Sequence, residues 1–345
     1  MPITTTLLAV NSAQPEAEIV ERAAAMIRRG ALVAFPTETV YGLAASIYSE
    51  DALREVYRVK GRPQDNPVIV HISSMEMLDR LVAEIPQEAS LLAERFWPGP
   101  LTMIFRKTER ISDTITCGMD TVAIRYPSHP VANAVIKAAG VPLAAPSANL
   151  SGKPSPTTAD HCVHDLWGKI PLIIDGGQCE VGVESTVVSM TGDHPVILRP
   201  GIISLEEIRE LIPSAEVSEA VTRKVRDDEK VMSPGLKYKH YSPECKVTIV
   251  KGDLESFSAF VRDNYRDGDY AMCFFGDENS IPVPCIPYGG RDDARSQAHS
   301  IFAVLRQLDS IGAKRVFVRA PQESGEAMAV SNRLMRAAGF DEVIL

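Results

Sequence analysis

Over residues 16–29 the apolar positions recur at helical spacing, with Ile19, Ala23, Met26 and Ile27 on one face. Arg28 and Arg29 close the segment favourably for the helix dipole, and Gly30 offers a cap. Leu32-Val33-Ala34-Phe35 then reads as a buried strand stopped by Pro36. The same reading places helices over 51–60, 75–81, 89–96, 131–139 and 205–211. It places strands over 68–72, 101–105, 121–125, 143–145 and 172–174, with a hairpin from 187–190 and 196–199. Strands interleaved with helices, some of them in hairpins, predict an α/β or α+β domain around a mixed sheet.

From residue 213 to about 245 this pattern fails. Residues 222–230 are dense in charge and Ser233-Pro234-Gly235 is turn chemistry. The segment reads as a linker, with Lys237, Tyr238, Lys239, His240 and Tyr241 packed into five residues. Beyond it the rhythm is regular: strands over 247–250, 270–275, 316–318 and 343–345, helices over 254–265, 291–308 and 325–338. That alternation predicts a small parallel-sheet domain. The expected division is a domain over 1–212, a linker over 213–245 and a second domain over 246–345.

Length and composition leave this picture standing and remove others. The chain has 345 residues, 45% hydrophobic and 23% charged, values of a folded globular protein. No uncharged apolar run, Ala31 to Pro36 included, approaches the roughly 20 residues that span a bilayer. The first 14 residues have no basic region before their short apolar run, so no signal peptide is expected. A net charge of −9 argues against non-specific coating of nucleic acid, while leaving room for a local basic groove. Six scattered cysteines show no C-x-x-C spacing, so free thiols in the cytoplasm are expected.

No G-x-x-x-x-G-K-[ST], H-E-x-x-H or G-x-S-x-G occurs, and the second domain has no G-x-G-x-x-G. Other segments must carry any chemistry. Pro36-Thr37-Glu38-Thr39-Val40-Tyr41 gathers two hydroxyls, a carboxylate and a phenol after a buried strand; it is a site loop or a plain connection with a capping threonine. Lys60-Gly61-Arg62-Pro63 presents two cations, suited to phosphate or carboxylate or simply solvated. His71 lies in an apolar strand, as a core residue or a ligand-binding one. Trp97-Pro98-Gly99-Pro100-Leu101-Thr102 reads as scaffold. Thr121, Ala123 and Arg125 share one strand face, an arrangement that fits an anion or an edge-strand surface charge. The Pro146-Ser147-Ala148-Asn149 run, continuing through Ser151-Gly152-Lys153-Pro154-Ser155, follows an apolar strand and could cradle phosphate oxygens or be a surface loop.

In order along residues 20–243, these strings resemble one family, the YrdC-like L-threonylcarbamoyladenylate synthases in their long form with a C-terminal domain. Further matching strings are Asn66-Pro67, Arg125-Tyr126-Pro127, Asp175-Gly176-Gly177, Glu184-Ser185-Thr186-Val187-Val188, Leu198-Arg199-Pro200-Gly201 and His240-Tyr241-Ser242-Pro243. The second domain matches by position and pattern more than by motif. The resemblance implies a twisted mixed α/β sheet with a concave positive face, plus a small Rossmann-like parallel domain. It implies a nucleotidyltransferase acting in tRNA processing: L-threonine, bicarbonate (or CO2) and ATP, with Mg2+ on the ATP, give threonylcarbamoyl-AMP and pyrophosphate. A downstream transferase complex then uses that product on tRNA; tRNA binding by this chain is left open, and no membrane is involved.

Carried over position by position, the resemblance assigns L-threonine to Thr39, His71, Arg125, Ala145 and Ser185, with Arg125 facing the carboxylate. Ala145 stands where some relatives carry a hydroxyl. ATP falls to Arg62, Asn66, Thr121, Ser147, Ser155 and Arg199. Lys60 and Arg62 serve the phosphates, no protein side chain ligates a metal, and Tyr241 reaches over the nucleotide from a linker that acts as a lid. Two rivals remain at this level. One is an RNA-binding module without catalysis. The other is a carbamoyltransferase, disfavoured because no zinc-finger-like or acylphosphatase region is present.

Overall fold

The computed structural model describes residues 3–223 and 240–345. Among these the chain forms two compact units. The first gathers 3–151, 155–180 and 184–223; the second gathers 152–154, 181–183 and 240–345. No helix among the described residues is long and apolar enough to cross a membrane.

The first unit is built on eleven strands. These are β1 (Thr6–Ala9), β2 (Val33–Phe35), β3 (Gly42–Ser46), β4 (Val70–His71), β5 (Leu101–Arg106), β6 (Thr121–Arg125), β7 (Leu143–Ala144), β8 (Leu172–Asp175), β9 (Thr186–Ser189), β10 (Val196–Arg199) and β11 (Glu216–Val217). They form one mixed sheet in the order β1-β8-β2-β3-β7-β4-β6-β5-β9-β10-β11. Side chains alternate across a strand, so each strand feeds two cores. Val70 and Ile72, Met103 and Phe105, and Val122 and Ile124 enter the larger core with the helices Glu50–Lys60, Met75–Leu81 and Gln87–Phe96. On the opposite face Val33, Phe35, Leu143, Leu172 and Ile174 pack under the helices Ala17–Arg28 and Pro130–Ala139. Further along that face, Ile69, Ile104, Ala123 and Val187 form a small cluster made of strand residues alone. This half of the face carries the site.

The second unit is a parallel five-stranded sheet: β12 (Lys246–Lys251), β13 (Asp269–Cys273), β14 (Cys285–Pro287), β15 (Arg315–Arg319) and β16 (Glu342–Ile344), in the order β14-β13-β15-β12-β16. The chain leaves β12 toward β13 and leaves β15 toward β16, in opposite directions along the sheet. Right-handed crossovers then place their helices, Leu254–Asn264 and Ala327–Ala338, on opposite faces.

The two sheets, mixed and parallel, are those expected. The largest difference is β3. Gly42-Leu43-Ala44-Ala45-Ser46 has little intrinsic strand preference, and its position between β2 and β7 decides its state. The polar turn after Phe35 is therefore a hairpin and not a passage to a helix. β1, β11, β14 and the helix Ala159–Leu166 were also absent from the sequence pattern. β11 lies inside the expected linker. Of the aromatic and basic cluster in that linker, Lys237, Tyr238 and Lys239 fall outside the described residues. Tyr241 belongs to the second unit, where its buried ring lies 5.2 Å from that of Phe302, with the Arg333 guanidinium 5.5 Å above it.

Candidate active site

Strand register assembles the site. His71 in β4 pairs with Arg125 in β6, and Arg125 pairs with Thr102 in β5. The three side chains form one row on the face that also carries Ile69, Ile104 and Ala123. β5 then pairs with β9, which brings Ser185, the residue before β9, beside the row. The Ser185 and Thr102 hydroxyls are 2.7 Å apart, and Arg199 at the end of β10 donates to the Ser185 carbonyl at 3.0 and 3.2 Å and to its hydroxyl at 3.1 Å. Gly201 is required there, because a Cβ would collide with the Thr186 amide.

Arg125 is only 4% exposed. It donates to the Thr39 hydroxyl at 2.7 Å and to the Gly99 carbonyl at 3.4 Å, and pairs with the Glu38 carboxylate at 2.7 Å. Thr37 supports Thr39: the two hydroxyls are 2.9 Å apart, and Thr37 donates to the Val40 carbonyl. Tyr41 braces this hairpin by donating to the Gly177 carbonyl at 2.6 Å while accepting from the Gly176 amide. The Asp175-Gly176-Gly177 string therefore has a structural use.

Burial alone would raise the Glu38 pKa, but the Arg125 charge and the hydrogen bonds around the carboxylate hold it below the ordinary value. Glu38 is thus ionised. Burial, reinforced by the Arg125 charge, pushes His71 down to about 3, so its imidazole is neutral. The net result is one cation, its paired carboxylate, a neutral imidazole and several hydroxyls gathered on one face of the sheet.

The loop after β7 is held from below. Lys60, the last residue of its helix and 2% exposed, donates to the Asn149 carbonyl at 2.6 Å and to the Ser147 carbonyl. Sequence placed this ammonium near phosphates; the structure engages it with loop carbonyls. Arg62 donates to the carbonyls of Asn66 at 3.0 Å and Pro67 at 2.6 Å. Asn66 is buried, and its Nδ2 has no acceptor among the described residues. Ser155 donates to the buried Glu184 carboxylate. Ser147 is half-buried and bridges to Gly42. Ala145 is buried, with its amide on the Ile69 carbonyl beside the row. Thr121 shares the face of Arg125 but sits four residues away, about 13 Å along β6.

Thr39, His71, Arg125, Ala145, Ser185 and Arg199 are therefore gathered by adjoining strands and the β2–β3 hairpin. Thr121 lies at the far end of the same face. Two residues were not singled out from sequence. Glu38 was visible as the carboxylate beside Thr39, and Thr102 by alternation with Ile104. Among the described residues no group of three or more His, Cys, Asp or Glu side chains could hold a metal ion.

Buried arginines and hydroxyls gathered at the ends of adjoining strands of a mixed α/β sheet have the chemistry of a site for small anionic molecules. The profile described as telomere recombination, covering Sua5, YciO and YrdC proteins, matches residues 25–201, and the threonylcarbamoyl-AMP synthase C-terminal domain matches 203–339. The threonylcarbamoyl-AMP synthase of Pyrococcus abyssi is 44% identical over 92% of this chain and 93% of its own length; that of Bacillus subtilis is 42% identical, with 93% of each covered. A crystal structure of P. abyssi Sua5 complexed with L-threonine superposes with a TM-score of 0.91 at 41% identity, covering 99% of this chain and all of that one. The chain belongs to the threonylcarbamoyl-AMP synthase family, in the form that carries both domains.

Proposed function

We propose that the row His71–Arg125–Thr102, with Thr39 on the arginine, is the L-threonine subsite of a threonylcarbamoyl-AMP synthase. The observation that carries this is the composition of the row. A buried guanidinium suits a carboxylate, and the neighbouring hydroxyls and neutral imidazole suit a side-chain hydroxyl. Glu38 already pairs with Arg125, and the Thr39 hydroxyl, which accepts from the same guanidinium, holds it in orientation for the substrate carboxylate. Ser185, fixed by Arg199 and Thr102, faces the same space.

The threonine amine takes up bicarbonate as a carbamate with loss of water. A carbamate oxygen attacks the α-phosphorus of ATP, and pyrophosphate leaves. No protein nucleophile is needed; positioning and neutralisation of crowded anions suffice. Arg62 and Arg199 are the cations assigned to the nucleotide, with Asn66, Ser147, Ser155 and Thr121. Lys60 acts as a positioning residue that shapes loop 146–149 from beneath. Mg2+ would arrive on the ATP phosphates and neutralise their charge, since it commonly keeps its waters and substrate phosphates as ligands. The product serves a transferase that modifies tRNA.

The test is pyrophosphate release by the purified chain with ATP, Mg2+ and bicarbonate. Release that requires L-threonine and fails with L-serine or L-valine supports the assignment. Absence of release with tRNA binding intact would replace it with an RNA-binding reading.

A further inference from the structure

In an open α/β sheet, ligands bind beyond the carboxyl ends of the strands, where neighbouring strands send their connections in opposite directions. In the second unit that place is at β15, for which this holds against both of its neighbours, β13 and β12. A cavity of about 320 Å³ is found there, lined by Gly252 after β12, Phe274 after β13, Ala320 after β15 and Arg291 after β14. Its volume is at the lower end of the range of small-molecule sites.

Arg319, the last residue of β15, lines this cavity although its side chain is only 3% exposed. Its guanidinium lies 5.2 Å from the centre of the Phe274 ring and pairs with Asp277. That carboxylate is the sole hydrogen-bond acceptor of its side chain among the described residues. The other N–H donors of Arg319 are not sealed from solvent: they open on the cavity that it lines, where a ligand can reach them. Arg291 supplies a second, exposed cation at the rim. Gln322 donates to Asp292 at 3.1 Å across that rim, tying together the loops that follow β14 and β15.

We propose that the second unit has a ligand site of its own, in which Arg319 and Arg291 hold a small molecule bearing one carboxylate or one phosphate group. The charges set the class. Asp277 and Asp292 flank the two arginines, so a single oxyanion is favoured and a polyphosphate is repelled. All the residues that line the cavity belong to the second unit.

The test uses the full isotope-labelled chain and follows the amide resonances of Gly252, Gly290 and Ala320 while inorganic phosphate, propionate or ATP is added. Saturable shifts with phosphate or with propionate are expected, and whichever saturates identifies the oxyanion. Arg291→Ala, at the exposed rim, should weaken that binding about tenfold. The double variant Arg319→Gln with Asp277→Asn keeps a neutral hydrogen-bonded pair and should abolish binding with its circular dichroism unchanged. No saturable shift with either probe, an unaltered affinity in Arg291→Ala, or equally tight binding of ATP would each overturn the proposal.

Discussion

Each sheet buries one arginine–carboxylate pair at a strand end: Glu38–Arg125 in the first unit and Asp277–Arg319 in the second. Their surroundings differ. Arg125 is ringed by partners: a threonine hydroxyl, a backbone carbonyl, and neighbours in strand register on both sides. Arg319 has one carboxylate and an aromatic face. The first guanidinium is oriented before any ligand arrives, which fits a group that must place a reacting molecule. The second has donors to spare, which fits simple retention of an anion.

The sharpest way to break this contrast is Arg125→Ala. Pyrophosphate release dependent on L-threonine should fall at least about 100-fold, because both orientation and charge are lost. Stability should also fall, by about 3–5 kcal/mol, because Glu38 is left buried and unpaired. Adding Glu38→Gln should restore the thermal midpoint and not the activity. In the second unit Arg319→Ala should cost a few kcal/mol by the same mechanism. At a temperature where the variant is folded, threonine-dependent turnover should stay within about threefold of the parent. An equal loss in both variants would erase the distinction.

Acid should also separate the two sheets. His71 titrates near 6.5 when unfolded and near 3 when folded, so between these values the unfolded chain binds more protons. Its contribution is present above about pH 6.5 and is lost as pH falls toward 3. Glu38, whose folded value is also depressed, adds loss in the same direction. His71→Phe should flatten the acid limb of denaturant melts followed in the first unit. In the second unit Asp269 and Asp341, both held low against burial by Arg315 and Lys246, should weaken only at lower pH. The smallest effects are expected from Thr39→Val and Ser185→Ala. Each removes one hydroxyl that makes two hydrogen bonds of about 1 kcal/mol, so KM for L-threonine should rise about tenfold with little change in kcat.

The units also differ in how much of each could be read from sequence. The second announces itself through periodicity: its parallel sheet follows from the alternation of strands and helices, yet nothing local marks Arg319 as different from any other strand-end arginine. The first announces its site through compact strings, because sharp turns and buried polar groups demand particular residues. Gly99 shows this: a Cβ there would strike the Phe96 carbonyl, while its own carbonyl accepts from Arg125. What the strings do not reveal is who neighbours whom. The pairing of His71, Arg125 and Thr102 depends on β4, β6 and β5 being adjacent, a property of the whole sheet. The same limit explains β3, whose small residues become a strand only between two partners. Lys60 was legible as a cation but not as one turned toward loop carbonyls. Of the lid assigned to 213–245, residues 224–239 fall outside those described.

The order of strands in the first sheet also bears on the birth of the protein. Thr6 in β1 waits for Leu172 in β8, and Leu101 in β5 waits for Thr186 in β9. A chain emerging from the ribosome in sequence order cannot close either pair until almost the whole unit has been made. Such distant pairings are slow to form, and they leave strand edges open in the meantime. The row His71–Arg125–Thr102, which needs β9 to seat Ser185 beside it, is thus among the last features to be completed, and a nascent chain truncated before residue 185 would hold Arg125 without its full complement of neighbours.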